Sequence, residues 1–272
     1  MDGMQRVEVV GTPLEYEESG EGQALLFLHG EDGLIFSAAV REQLAANFRV
    51  IAPHHPGWGG SGRGRHLVET ADLARMYAAW LEGFEAPPIV VGCSFGAWLA
   101  AEVAALRPAG LAGLVLIAPT GLKLGGRDER EFADIWMADM EGLRDVLYAD
   151  AAAAPALAEL SDDDFRYLAQ AQEATARYCW QPYMHNPRLA PWLGRVVVPT
   201  LLVHGTEDRF ALLPDYYERY AGLIGEGARV ESLPGVGHRV EEEAPALLAE
   251  LIRTSAAVPG ADTPVLASRK AG

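Results

Sequence analysis

Five short runs of uninterrupted apolar residues punctuate the chain, and each stops at Gly, Pro or a polar turn: Ala24–Leu28, Val50–Pro53, Pro88–Gly92, Gly113–Ala118 and Thr200–Gly205. They are too short for free-standing helices. Continuous apolar runs of this length suit strands buried on both faces of a parallel sheet. Apolar residues at helical spacing lie between them, over Ser37–Asn47, Glu69–Leu81, Phe95–Leu106, Pro214–Ile224 and Glu241–Ile252. Val7–Val10 and Leu14–Glu17, joined at Gly11-Thr12-Pro13, predict an edge hairpin, and Ala228–Leu233 a last strand. Strand alternating with helix implies right-handed crossovers. The predicted fold is α/β: a doubly wound, mostly parallel eight-stranded sheet with helices on both faces.

One stretch breaks the alternation. Between Gly121 and Arg195 no buried strand is evident. Glu129–Tyr148 reads as helix. Ser161, with Asp164 three positions on, offers a capping box that opens a second helix to about Tyr178, and Pro187–Leu193 carries a third helical piece. Ala149–Ala158, interrupted by Pro155, reads as a helix end and a restart. The expected organisation is a core of residues 1–120 and 196–255, an all-helical insertion over 121–195, and a loose tail over 256–272.

The candidate chemistry sits where these strands end. Gly92-Cys93-Ser94-Phe95-Gly96 is a G-x-S-x-G motif between a strand and a helix. A sharp turn there lifts the Ser94 hydroxyl clear of the sheet, and the flanking positions leave no room for a Cβ. Serine is a weak nucleophile until a base stands beside it. His238 is the candidate, in the Gly-flanked loop Gly235-Val236-Gly237-His238 after the last strand. Asp208, just past the fifth apolar run, could accept from the imidazole and fix its tautomer; Glu207 is its neighbouring competitor.

With Ser, Asp and His in that order, the chain resembles the α/β-hydrolase family over roughly Leu25 to Leu251. The resemblance implies a serine hydrolase branch with a helical cap over the site. His29-Gly30-Glu31-Asp32-Gly33 is similar to the family's segment after the third strand, so the N–H of Glu31 and that of Phe95 are the expected oxyanion-hole donors. Pro53–Gly62 resembles the loop after the fourth strand, with His54 where the family usually has Asp. His29, Gly30, Trp136, Trp180 and Arg239 are the expected pocket residues, with Arg177 or Arg188 as candidates to bind a substrate carboxylate. A serine at the elbow argues against dehalogenase and epoxide hydrolase branches, which would place Asp there. The reading is a carboxylic-ester hydrolase acting on a small, fairly apolar ester through an acyl-Ser94 intermediate. A carbon–carbon bond hydrolase on a vinylogous diketone, a lactonase, a thioesterase and a perhydrolase share the machinery, and a non-catalytic binding homologue is the rival from another class.

Composition narrows the partners. The formal net charge of −16 repels phosphate backbones and anionic membrane surfaces, so neither nucleic acid nor membrane is an expected partner. Two Cys, Cys93 and Cys179, are too few for a disulfide framework and lack metal-ligand spacing. Adjacent residues point apart, so His54-His55 makes a poor metal pair. No cofactor and no metal are expected. Without a signal peptide pattern or a long apolar run, a cytoplasmic protein follows by default, and a homodimer stays open.

Overall fold

The computed structural model describes residues 4–256. The predicted tail from 257 onward lies outside them. Eight strands form one sheet: β1 (Gln5–Val9), β2 (Thr12–Ser19), β3 (Ala24–Leu28), β4 (Arg49–Pro53), β5 (Ile89–Cys93), β6 (Gly113–Ile117), β7 (Thr200–Gly205) and β8 (Ala228–Leu233). Their order is β1-β2-β4-β3-β5-β6-β7-β8. The β1–β2 hairpin is antiparallel, as is the β2–β4 pair, and every later pair is parallel.

Alternation along each strand feeds two cores. Leu26, Leu28, Ile51, Val90, Leu116 and Leu202 face one side, where α2 (Thr70–Leu81), α3 (Phe95–Leu106) and α6 (Tyr216–Ile224) pack. Leu25, Phe27, Val50, Val91, Ile117 and Val203 face the other, against α1 (Ala38–Ala45) and the carboxyl-terminal helix over Pro245–Ala256. Helix α3 is buried along nearly its whole length, from Phe95 to Ala105. Its run of alanines lets it sit closely on the sheet. The strand order reverses beside β3, which pairs β4 on one edge and β5 on the other. A crevice opens at the carboxyl ends of the strands at such a reversal. His29-Gly30-Glu31 leaves β3 there and Ser94 leaves β5.

The turn at Ser94 is strained, with φ 49° and ψ −110°. A Cβ on Gly96 would lie 2.1 Å from the Leu28 carbonyl oxygen and 2.4 Å from that of His29. These obstacles are backbone atoms of β3 and its exit, so they have no rotamer to give. Gly96→Ala is therefore expected to cost at least the upper part of the roughly 1–3 kcal/mol typical of overpacking. A lowered urea midpoint at unchanged m-value is the result to look for; a midpoint within error of the wild type contradicts the close packing.

The insertion between β6 and β7 is less helical than its pattern suggests. Of the helix expected over Glu129–Tyr148, only α4 (Met140–Leu147) forms. The acidic side chains ahead of it turn back onto the chain. Glu131 Oε1 accepts from the Leu124 and Gly125 N–H groups at 3.2 and 2.7 Å, and Asp134 Oδ1 from those of Trp136 and Met137 at 3.1 and 3.2 Å. Such bonds compete with a helical ladder. Residues Phe132 and Ala211 form an antiparallel bridge instead. Helix α5 (Asp162–Cys179) opens on the Ser161–Asp164 capping box. The piece expected at Pro187–Leu193 is a 3₁₀ helix over Ala190–Arg195, and the Ala-rich stretch holds two single 3₁₀ turns. At the other end of the chain, the helix expected over Glu241–Ile252 is split into α7 (Val240–Glu243) and α8 (Pro245–Ala256) at Pro245.

Candidate active site

Ser94, His238 and Asp208 arrive from three different loops and meet. The Ser94 Oγ lies 2.8 Å from His238 Nε2, and His238 Nδ1 lies 2.8 Å from Asp208 Oδ2. Glu207, next in the chain, is exposed and turned away. The Asp208 carboxylate is held on both oxygens: Oδ1 accepts from the N–H groups of Phe210 and Ala211 at 2.8 and 3.1 Å, and Oδ2 also accepts from the Tyr217 hydroxyl. Burial pushes this carboxyl up, but the charge and hydrogen bond of His238 and the Tyr217 hydroxyl outweigh it and hold it below the usual range. An ionised Asp208 keeps the proton on Nδ1 and leaves Nε2 to face the serine. The Phe210 ring packs edge-on against the imidazole at 4.6 Å between centroids.

Phe95 opens α3, so its N–H has no acceptor within the helix. The Glu31 peptide is pinned through its carbonyl oxygen, which accepts from Trp58 Nε1 at 3.0 Å and Thr175 Oγ1 at 3.1 Å.

A cluster of three imidazoles supports that loop from behind. The His55 N–H donates to His29 Nε2 and His55 Nε2 reaches the His29 carbonyl oxygen, both at 3.1 Å, while Tyr77 holds His55 Nδ1 at 2.6 Å. His54 Nδ1 meets the Tyr167 hydroxyl of α5 at 3.1 Å. His29 is thus a fully buried support. It does not line the cavity, contrary to expectation: its ring packs on that of His55, 3.8 Å between centroids, and its Nε2 is taken by the His55 N–H. Gly30 is likewise wedged beneath the site, with the Arg239 guanidinium and Ser94 Cβ against it.

Burial pushes the His55 imidazole down to about 3, against an ordinary value of 6.5. A base depressed in the folded state contributes stability above 6.5 that is lost as the pH falls towards 3, because the unfolded chain takes the proton first. The unfolding free energy is expected to fall across that window by about a few kcal/mol for a fully buried group, and the urea midpoint with it. In His55→Phe the fall should be shallower; an equal slope in both proteins assigns the acid sensitivity elsewhere.

A cavity of about 50 Å³ opens beside Glu31, whose carboxylate reaches the Ser94 Oγ. Ile135, Trp136, Leu143, Leu147 and Phe210 give it apolar walls, and Glu31, Asp32 and Arg239 its polar end. Trp180 lies outside this cavity: it is 58% exposed, packs edge-on against Trp136 from the solvent side and borders a separate surface cleft. Most other aromatic and Met side chains of the insertion are buried in packing, as Phe132, Tyr148, Tyr178 and Met184 are, or face solvent, as Met137 and Phe165 do. Arg177 reaches the Leu67 carbonyl and Arg188 pairs with Glu69, so neither borders the cavity.

Two features escaped sequence reasoning. The Glu31 side chain, valued only for its backbone, accepts from Ser94 Oγ at 2.7 Å. Arg239 is buried and surrounded by carboxylates: Asp32 in direct contact, Glu31 at 3.6 Å, and Glu241 and Glu242 each at 3.8 Å. Burial alone would weaken the guanidinium's hold on its proton, but these four acids raise it well above its ordinary value. Burial conversely pushes Glu242 up to about 8, against the lowering pull of Arg239. The acidic run Glu241-Glu242-Glu243, two positions after Arg239, was the available signal. Its members face inward: Glu242 accepts from the Tyr148 hydroxyl at 2.7 Å, and Glu243 from the N–H groups of Ala149 and Gly237 at 2.9 and 2.7 Å.

A family model described as the alpha/beta hydrolase family matches residues 25–251. The chain belongs to the alpha/beta hydrolase family. Among solved structures, this α/β hydrolase superposes on a meta-cleavage product hydrolase from Pseudomonas fluorescens IP01 with a TM-score of 0.75 at 18% identity, covering 92% of this chain and 96% of that one. It superposes on a thermophilic esterase from Thermogutta terrifontis with a TM-score of 0.70 at 23% identity, covering 92% and 97%. At these identities the likeness is one of fold. In sequence it is 30% identical over 258 residues to the dihydrolipoyllysine-residue acetyltransferase component of the acetoin cleaving system of Pseudomonas putida, covering 88% of this chain and 65% of that protein. A second relative, from Oryza sativa subsp. japonica and named "Probable 1-acylglycerol-3-phosphate O-acyltransferase", is 28% identical over 133 residues, or 45% of this chain. The chain thus spans 65% and 30% of the lengths of these two curated relatives. Among the described residues no helix is long and apolar enough to cross a membrane.

Proposed function

We propose that this α/β hydrolase cleaves a small carboxylic ester through an acyl-serine intermediate. The observation that carries the reading is the continuous line Ser94 Oγ, His238 Nε2, His238 Nδ1, Asp208 Oδ2, with both contacts at 2.8 Å. Ser94 Oγ attacks the carbonyl carbon while His238 Nε2 takes its proton. The oxyanion settles between the N–H groups of Glu31 and Phe95. His238 returns the proton to the departing alcohol, then takes one from water, whose oxygen releases the acid from Ser94. Every atom moved belongs to the substrate, water or these side chains.

The inserted segment 121–195 acts as a cap. Ile135, Trp136, Leu143 and Leu147 from it meet the core across the cavity, so the substrate's body is apolar. The cap is tied to the loops that carry Asp208 and His238: Arg209 donates to the carbonyls of Asp145 and Tyr148, each at 2.6 Å, and the N–H groups of His238 and Arg239 donate to the Leu147 carbonyl at 2.9 and 3.1 Å. The carbon–carbon hydrolase reading needs a free cation for a substrate carboxylate, and the only arginine at the cavity among the described residues is already surrounded by acids. Titration with a fluorophosphonate tests the proposal. One equivalent should abolish hydrolysis of p-nitrophenyl butyrate and add its mass to the peptide holding Ser94. A wild type inert to the ester, or a label elsewhere, overturns it.

A further inference from the structure

Glu31 is an odd residue to find against a nucleophile. Its side chain is about nine-tenths buried, and Oε1 sits 2.7 Å from the Ser94 Oγ. A carboxylate there opposes the reaction of a neutral ester, because the tetrahedral intermediate adds a second negative charge beside the first in a site where little water screens them. Arg239 offsets this incompletely. Its nearest partner is Asp32, it stands 3.6 Å from the far oxygen of Glu31, and it also faces Glu241 and Glu242. At the cavity itself, the acids Glu31 and Asp32 outnumber the one guanidinium. A cation carried by the substrate would complete the balance.

Geometry says where on the substrate it sits. Once an acyl group is joined to Oγ, rotation about its α-carbon to carbonyl bond can bring an α-substituent alongside Oγ, within reach of an acceptor already hydrogen-bonded to that oxygen. Trp136, which lines the cavity, keeps its indole N–H buried with no hydrogen-bond partner among the described residues. Left so, it costs free energy; an acceptor on the ligand would recover it.

We propose that the Glu31 carboxylate recognises a protonated amine on the α-carbon of the acyl group, so that the preferred substrates are α-amino acid esters or amides. This rests on the acyl-serine reading above and adds the substrate class. The ammonium donates to Glu31 Oε1 and frees Oγ from its bond there. Oγ then attacks the carbonyl carbon, its proton passes to His238 Nε2 and on to the departing alcohol or amine, and water releases the free amino acid.

The test uses isosteres in which a methyl replaces the ammonium. The kcat/KM for the p-nitrophenyl esters of alanine and isobutyrate, each divided by its own hydroxide rate constant, should favour alanine by about 10- to 100-fold, the range for a hydrogen bond to a charged group. Glu31→Gln should bring that ratio close to one. Calorimetry of (1-aminoethyl)boronic acid against isopropylboronic acid gives the same comparison without turnover, and the amine should bind at least about 10-fold more tightly to the wild type. A wild-type ratio near one, an unchanged ratio in Glu31→Gln, equal acceleration of both esters in that variant, or no tighter binding of the amine overturns the inference. Ser94-dependent hydrolysis of isobutyrate without amine preference sinks the inference and spares the acyl-serine reading. Failure of both esters together with failure of fluorophosphonate labelling sinks the reading itself, and the boronate comparison then still decides the role of Glu31.

Discussion

Ser94→Ala should lower kcat for p-nitrophenyl butyrate by about 10⁵-fold, with KM changed little and folding intact. The size follows from what the hydroxyl does. It forms the covalent bond to the acyl group, and no neighbouring side chain can replace it, since the flanking Cys93 is buried and burial pushes its thiol well above the ordinary range. On the proposed mechanism, what survives is the work of the Glu31 and Phe95 N–H groups and of the cavity on an attacking water, worth roughly 10³-fold over solution. The substitution removes only an oxygen from a site whose backbone is already held in place by Gly92 and Gly96, so the urea midpoint should stay close to the wild type. Stopped-flow release of p-nitrophenolate measures the rate. A loss below about 10-fold would mean that His238 drives water directly and that no acyl-serine forms.

The fold was legible because its signals are local. Each buried strand announces itself as an apolar run, and α3 begins and ends within the pattern Phe95–Leu106 as expected. The meeting of Ser94, His238 and Asp208 was legible for a related reason: Ser94 and Asp208 each follow such a run, and His238 follows the last strand, so the topology gathers them at one edge. The insertion was harder. Over 129–139 the pattern of apolar residues is helical, yet Glu131 and Asp134 satisfy backbone N–H groups that a helix would otherwise use. Which face of the insertion meets the core depends on contacts distant in sequence, so Trp136 borders the cavity and Trp180 faces solvent although both looked alike as aromatic positions. Glu31 shows the same limit most clearly. The His-Gly segment pointed to the N–H of Glu31 and said nothing of its carboxylate, which meets Ser94 only where the β3 and β5 exits lie side by side.

Asp208→Asn should cost about 10⁴-fold in kcat while leaving the site's shape in place. The amide oxygen can still accept from Phe210 and Ala211, which now hold Oδ1. Its nitrogen then takes the place of Oδ2 and becomes a donor aimed at His238 Nδ1. Imidazole answers by placing its proton on Nε2, the nitrogen that must receive the proton of Ser94, and the base is silenced without moving. The imidazolium formed during attack also loses its counter-charge in a place where His238 is 1% exposed and the Asp208 side chain 3%. Glu207→Gln is the matched control, since that neighbour is exposed, and it should change kcat by less than about twofold. Tyr217→Phe removes one donor from Oδ2 while keeping the charge, so its loss should fall between the two. If Asp208→Asn retains more than about a tenth of wild-type kcat, Asp208 is only a structural anchor for the loop after β7, and the orientation of His238 must come from the backbone bond of its N–H to the Leu147 carbonyl.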